Sequence, residues 1–213
     1  MKVQRNKNLR RQGFTLIEMI GVLAVIAILA ALLIPKIFNA INDARVNNAV
    51  VSYNTIKAAS AEHYAKYGAF DKTAAGASVP AGTSPHPPGT AGVAGMAYWD
   101  GQLLSEGFSD KLFLVKIGTN SFATVTAGTP GTLAFVAPSV YDLDGVNGND
   151  VTNGNWIVEA IIEGVAGTDA KDVNDRLDGD TGPFVVTVGA NDIAGRVKYD
   201  STAGTLRIYV THR

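Results

Sequence analysis

The sequence predicts an α+β protein in which a long N-terminal helix, apolar in its first half, packs on a C-terminal antiparallel β-sheet. Three observations support this fold class. The run from Phe14 to Ile34 contains a single charged residue. From Ile41 to Tyr67, two series of residues recur at spacings of three and four, which is the period of a helix. Beyond about residue 110, short segments rich in β-branched and aromatic residues alternate with turn formers at hairpin-length gaps, which favours an antiparallel sheet.

Charge is distributed unevenly along the chain. The first 13 residues hold five lysines and arginines and no acidic residue, so the rest carries a net charge of −6 against −1 for the whole. Lysine and arginine favour the cytoplasmic side of a membrane, which predicts a cytoplasmic leader and an exported remainder. An acidic body argues against nucleic-acid binding. The chain has no cysteine, which excludes disulfides, zinc-thiolate sites and cysteine nucleophiles.

The apolar run has the length of a membrane span. A helix over its 21 residues covers about 31 Å, the hydrocarbon thickness of a bilayer. A cleaved signal peptide and a simple anchor are the ordinary interpretations. However, the following stretch IPKIFNAINDAR lacks a good small-residue cleavage site. A simple anchor would not require Glu18, because a carboxylate within a membrane helix costs free energy and needs a partner.

The motif GFTLIE at residues 13–18 resembles the cleavage motif of type IV pilins and of the pseudopilins of type II secretion. This resemblance implies that a membrane peptidase cuts between Gly13 and Phe14 and then N-methylates Phe14. It also implies that the apolar helix stays in the mature protein. Glu18 matches the glutamate of the family, and Pro35 falls where many members have a helix-kinking proline. The resemblance is close over residues 1–67, and beyond them it is architectural, so the fold expected is pilin-like.

The resemblance gives Glu18 a predicted role in assembly. Cleavage exposes a cationic amine on Phe14, and a subunit displaced axially in a filament can bring that amine to the Glu18 of its neighbour. A mismatched subunit would leave a buried charge without its partner, which costs about 3–5 kcal/mol. Glu18 is therefore predicted to set the register of assembly. The alternative is a glutamate whose carboxylate reaches the membrane interface.

The predicted organisation has five parts. They are a cytoplasmic leader peptide (1–13), a hydrophobic transmembrane or filament-core helix (14–38), the amphipathic half of the helix (39–67), a Gly/Pro-rich loop with a short helix (68–109), and an antiparallel β globular domain (110–213). Pro35 predicts a kink or local melting of the helix, and Gly68 is expected to end it.

Smaller elements follow from local patterns. A short helix is expected over Gln102–Glu106, and another over Asp169–Leu177 with Thr168 as its N-cap. Seven segments are predicted to be strands: KLFLVKI, SFATVTA, TLAFVAPSV, NWIVEAII, PFVVTV, GRVKYD and TLRIYVT.

One acidic loop is a candidate metal site. Five oxygen-bearing side chains lie within nine residues: Asp142, Asp144, Asn147, Asn149 and Asp150. Calcium takes six to eight oxygen ligands from flexible loops of this kind, and major pseudopilins, which the chain resembles, use a calcium loop. The spacing matches an EF-hand poorly, and Asp-Gly and Asn-Gly pairs also form ordinary turns, so turn chemistry is the alternative. A second acidic group, at positions 172, 175, 178 and 180, is expected to be the solvated face and end of the short helix.

No catalytic constellation is present, and no cofactor is expected apart from this possible calcium. The three histidines have no metalloenzyme spacing, and neither a GxGxxG loop nor a P-loop occurs. We therefore expect a structural subunit of a type IV pilus-like filament and not an enzyme. By resemblance its partners are other copies of itself, a prepilin peptidase, an inner-membrane platform protein and an assembly ATPase. The precursor would span the bacterial inner membrane once and end in a periplasmic or cell-surface filament. The alternatives are a type II secretion pseudopilin and a single-pass anchored binding domain.

Overall fold

The computed structural model describes residues 13–70, 97–127, 141–143, 156–179, 191–192 and 195–212. Helix α1 runs from Leu16 to Tyr67 with Pro35 inside it. The helix does not melt at Pro35, because a proline removes one backbone donor while the neighbouring hydrogen bonds can continue the helix. The alternative, a kink at Pro35, stays a prediction. The predicted stop is confirmed: Gly68 has a positive φ of 74° and its N–H bonds the carbonyl of Tyr64 at 2.8 Å.

The chain divides into two compact units, Met1–Ile41 and Asn42–Arg213. The described part of the first unit is the apolar half of α1, which is exposed on all sides of the helix. Leu16 and Ile17, for example, are 77% and 78% exposed. Within the part of the chain that the structure describes, α1 is the one helix long and apolar enough to cross a membrane.

Among the described residues, the second unit is built on a six-stranded antiparallel sheet. Its elements follow α1 in the order β1 (Ala97–Tyr98), α2 (Trp99–Ser105), β2 (Asn120–Ala127), β3 (Trp156–Glu163), α3 (Gly167–Leu177), β4 (Asn191–Asp192), β5 (Val197–Asp200) and β6 (Thr205–His212). The strands lie in the order β1-β2-β3-β6-β5-β4, and each described pairing is antiparallel. The four inner strands, β2, β3, β6 and β5, have four residues or more, and the two edge strands, β1 and β4, have two residues each.

The second half of α1 packs on one face of this sheet. Its buried apolar side chains are Val46, Ala49, Tyr53, Ile56 and Ala59, which share one core with alternate residues of β3 and β6 such as Val158, Ala160, Leu206 and Ile208. The Tyr53 hydroxyl also donates a hydrogen bond to the carbonyl of Tyr209 on β6, at 2.9 Å. The predicted α+β arrangement of a long helix on an antiparallel sheet is therefore confirmed.

The opposite face of the sheet holds a buried polar cluster. Glu159 on β3 accepts hydrogen bonds from the Tyr141 hydroxyl at 2.7 Å and from Arg207 Nη1 at 3.1 Å. The amine of Lys198 lies 4.0 Å from the centre of the Tyr141 ring. Burial raises the pKa of Glu159 and lowers the pKa of Lys198 to about 8. Charged residues are thus part of the interior of this face.

One predicted strand is wrong. The segment KLFLVKI at 111–117 is irregular, although its Phe113 and Ile117 are buried. The backbone N–H of Phe113 bonds Asp100 Oδ2, and that of Val115 bonds Ser121 Oγ, both at 3.0 Å. These side-chain acceptors occupy the backbone donors that a strand would use, which is why the segment stays outside the sheet.

The ends of the short helices differ from the prediction. Helix α2 begins at Trp99, three residues before Gln102, and ends at Ser105. Helix α3 has Ala166 as its N-cap without a side-chain cap, so Thr168 is not the N-cap. Strands β1 and β4 were not predicted, because two residues are too few to give a pattern. The predicted strands TLAFVAPSV and PFVVTV lie outside the described residues.

Candidate processing and assembly site

The start of α1 is closed by reciprocal hydrogen bonds between Thr15 and Glu18. The backbone N–H and the hydroxyl of Thr15 donate to Glu18 Oε2 at 2.7 and 2.6 Å. The backbone N–H of Glu18 approaches Thr15 Oγ1 at 3.4 Å. Because the helix begins at Leu16, Thr15 is the N-cap and Glu18 the third helical residue, which is the arrangement of a capping box.

Sequence reasoning missed the role of Thr15. The four residues TLIE match the [ST]-x-x-[DE] pattern that precedes an apolar helical run, so the signal was present. The carboxylate is also favoured by its position, because the N-terminus of a helix carries partial positive charge. Among the described residues, both capping contacts use Oε2 of Glu18, and no hydrogen bond to Oε1 is found.

The predicted cleavage bond lies just outside the helix. Gly13 and Phe14 precede the first helical residue, and the Phe14 side chain is 76% exposed. Nothing lies within 4 Å of the position that a Cβ on Gly13 would take. The described backbone on both sides of this bond is therefore neither helical nor covered.

The surface that follows the predicted cleavage bond is apolar and long. Its most exposed side chains include Leu23, Ile28, Leu29, Leu32 and Phe38, each at least 60% exposed. A helix that is apolar all round is normally buried, in a membrane or in a protein core. This half of α1 therefore requires lipid or other protein chains around it.

The candidate calcium loop is described at its first residue alone. Asp142 is buried, and its carbonyl accepts a hydrogen bond from the N–H of Gly195 at 2.9 Å. Asp144, Asn147, Asn149 and Asp150 lie outside the described residues. Within the described ranges, no group of three potential metal-binding side chains is found. The calcium site stays a prediction.

The second acidic group separates into different roles. Asp178 Oδ2 accepts hydrogen bonds from the backbone N–H groups of Arg196 and Val197 at 2.8 and 2.9 Å, so it links the end of α3 to the start of β5. Burial raises the pKa of Asp178. Asp175 is exposed and pairs with Lys171 on the same helix, as expected of a solvated face.

The histidines also lie apart in the described structure. His63 is fully buried under α2, and His212 contacts the hydroxyl of Tyr209 at the end of β6. His86 lies outside the described residues.

The fold and the N-terminal site define a pilin-like α+β protein with a capped helix that is apolar in its first half. Residues 8–34 match the family model for the prokaryotic N-terminal methylation motif. Comparison with curated proteins and with solved structures gave no significant match. The chain therefore carries the methylation motif that is typical of type IV pilins and type II pseudopilins, and the predicted recognition is confirmed. Over residues 8–34 it is therefore prepilin-like.

Proposed function

We propose that this protein is a structural subunit of a type IV pilus-like filament. The peptide bond after Gly13 is cut, Phe14 is methylated, and the subunits polymerise through residues 14–67. The observation that carries this proposal is the uncovered apolar half of α1, most of which lies within the match to the methylation motif at residues 8–34. Such a surface suits lipid in the precursor and neighbouring helices in the filament, whereas the β-sheet unit supplies the outer surface.

Assembly is the mechanism that we assign to the N-terminal site. The capping box engages Glu18 through Oε2 within its own chain. We infer that Oε1 receives the charged amine of Phe14 from a neighbouring subunit. Displacement by one step along the filament would separate these charges within an apolar environment, which is costly. Glu18 would thus act first as a helix cap and then as the register mark of the filament.

Processing and polymerisation require partners. The motif implies a prepilin peptidase and filament assembly. We further propose an inner-membrane platform protein and an assembly ATPase, with a single-pass inner-membrane precursor that leads to a periplasmic or cell-surface filament. No nucleic-acid partner is expected, because the chain after the leader is acidic overall.

A type II secretion pseudopilin is the second candidate. The acidic loop that begins at Asp142 and the lack of cysteine favour it. Surface filaments recovered by shearing would support a pilus, whereas periplasmic retention together with lost export of secreted enzymes would support a pseudopilin. A single-pass anchored binding domain differs from both, because it requires no polymerisation and hence no function for Glu18.

Substitutions of Glu18 test the proposed function. Glutamine at this position preserves the capping box, since glutamine serves at the third helical residue, but it carries no charge. Glu18→Gln and Glu18→Ala should therefore both reach the membrane at normal levels, and both should fail to form filaments in electron micrographs. Asp110→Asn is the control, because Asp110 is an exposed carboxylate outside residues 14–67. Normal filaments from Glu18→Gln would contradict the charge-pairing role.

A further inference from the structure

A buried histidine and a buried glutamate join the end of α1 to the end of α2. His63 is completely buried, one turn before α1 ends at Tyr67. Its Nε2 lies 3.4 Å from Oε2 of Glu106, whose side chain is 6% exposed. Glu106 is the C-cap residue of α2. The pair therefore connects the long helix directly to a second element of the sheet unit.

Aromatic rings enclose this pair. The centroid of the His63 ring lies 4.6 Å from that of Trp99, 4.7 Å from that of Tyr67 and 5.3 Å from that of Phe108. All three contacts are edge-on. These rings keep water away from the pair, and charges interact more strongly in such surroundings than in water.

The charges around His63 come from both helices. Glu106 on α2 is the anion in contact, and Gln102 Nε2 donates a hydrogen bond to Glu106 Oε1. Lys66 on α1 is the nearby cation in the described structure, and its amine lies 5.1 Å from the ring centroids of both Tyr67 and Phe108. The direct contact with Glu106 favours a proton on His63, whereas burial and Lys66 oppose it.

We propose that His63 and Glu106 form a pH-sensitive clamp between α1 and α2. Between pH of about 5 and 8, histidine is the side chain that ordinarily changes charge. Protonation of His63 converts its contact with Glu106 into a buried ion pair. The attraction between His63 and Glu106 is therefore present at acidic pH and is lost as the pH rises through the titration of His63.

The fluorescence of Trp99 provides a local test, because this ring packs against His63. The full chain is purified in detergent micelles with Trp156→Phe, which leaves Trp99 as the single tryptophan, and tryptophan emission is followed from pH 5 to 8.5. We expect one titration in this range. Glu106→Gln should move its midpoint down by about one pH unit, as removal of an adjacent opposite charge does, and His63→Gln should abolish it. Glu62→Gln, an exposed change beside His63, should leave the midpoint in place.

A double-mutant cycle provides the energetic test. The cycle combines His63→Gln and Glu106→Gln and gives the factor by which the two residues together favour folding. This factor should be about ten times larger at pH 5 than at pH 8, which corresponds to a shift of one pH unit in the titration of His63. Equal coupling at both pH values would overturn the clamp. So would a flat Trp99 emission curve in the chain that retains both residues, a result that does not depend on whether the double mutant folds.

Discussion

Two hydrogen bonds from Thr15 converge on a single oxygen of Glu18, at 2.7 Å from the backbone N–H and 2.6 Å from the hydroxyl. The glutamate of the methylation motif therefore stabilises its own helix before any second subunit is present. The proposed cleavage before Phe14 would leave both capping residues in the mature chain. Helix capping and assembly can thus depend on the same carboxylate.

Loss of the Thr15 side chain should loosen the start of α1. Thr15→Ala removes the hydroxyl, and loss of such an N-cap costs about 1 kcal/mol, whereas Thr15→Ser keeps the hydroxyl. We expect faster amide hydrogen exchange over residues 16–18 in Thr15→Ala than in Thr15→Ser, measured on the full chain in micelles. Equal exchange in the two variants would show that the capping box contributes nothing in solution.

The Tyr141 hydroxyl should stabilise the polar face of the sheet. Tyr141→Phe leaves Oε1 of buried Glu159 without this donor, and loss of a partner from a buried polar group costs about 1–3 kcal/mol. We expect a decrease of that size in the free energy of unfolding by urea. Tyr67→Phe removes a hydroxyl from a partly exposed ring and should change the value by less than about 0.5 kcal/mol.

The burial of Lys198 should make stability depend on pH in the alkaline range. Its pKa falls from 10.5 to about 8, chiefly because burial disfavours the charge. Between these values the unfolded chain binds the proton more strongly than the folded chain does. The buried charge of Lys198 therefore destabilises the folded chain fully below pH 8, and this destabilisation decreases as the pH rises towards 10.5.

Lys198→Met should remove this pH dependence. Above pH 8, the free energy of unfolding of the unmodified chain should rise relative to that of Lys198→Met, by at most about 1.4 kcal/mol per pH unit. Urea titrations at several pH values measure the difference, and Lys57→Met, at an exposed position of α1, serves as control. A constant difference between pH 7 and 10 would contradict the burial of a charged Lys198.

Two glycines with the same backbone conformation should respond differently to alanine. Gly179 and Gly195 have φ values of 72° and 75°. A Cβ on Gly179 would meet nothing within 4 Å, whereas a Cβ on Gly195 would lie 2.6 Å from Asp178 Oδ2. That oxygen cannot move away without losing its bonds to the N–H groups of Arg196 and Val197.

Gly179→Ala should therefore cost about 1–2 kcal/mol through backbone strain, and Gly195→Ala should cost more. Thermal unfolding of the two variants side by side gives the comparison. An equal loss in both would mean that Asp178 is not fixed at the start of β5.

Much of the fold was accessible from periodicity. Two series of residues recur with helical spacing between Ile41 and Tyr67. The series that contains Ala49, Tyr53 and Ile56 is the buried one. Strands β2, β3, β5 and β6 lie close to the predicted segments. These elements each bury a regular pattern against one core, and such patterns are visible in the sequence.

The features that could not be predicted depend on contacts between residues that lie far apart in the sequence. The segment 111–117 has the composition of a strand, but its backbone donors are taken by Asp100 and Ser121. Glu159, Lys198 and Arg207 alternate with apolar residues, so the sequence alone would assign them to a solvated face. Their burial follows from contacts with one another and with Tyr141. Thr15 is the exception, because its capping pattern was readable and was missed.

The mass of the N-terminal peptide from protein recovered in its native cells tests the central claim most directly. Processing by the prepilin pathway predicts a chain that begins at Phe14 and carries one N-methyl group. A chain that begins at Met1, or at a residue beyond Pro35, would contradict the pilin account and leave an ordinary anchor or signal sequence.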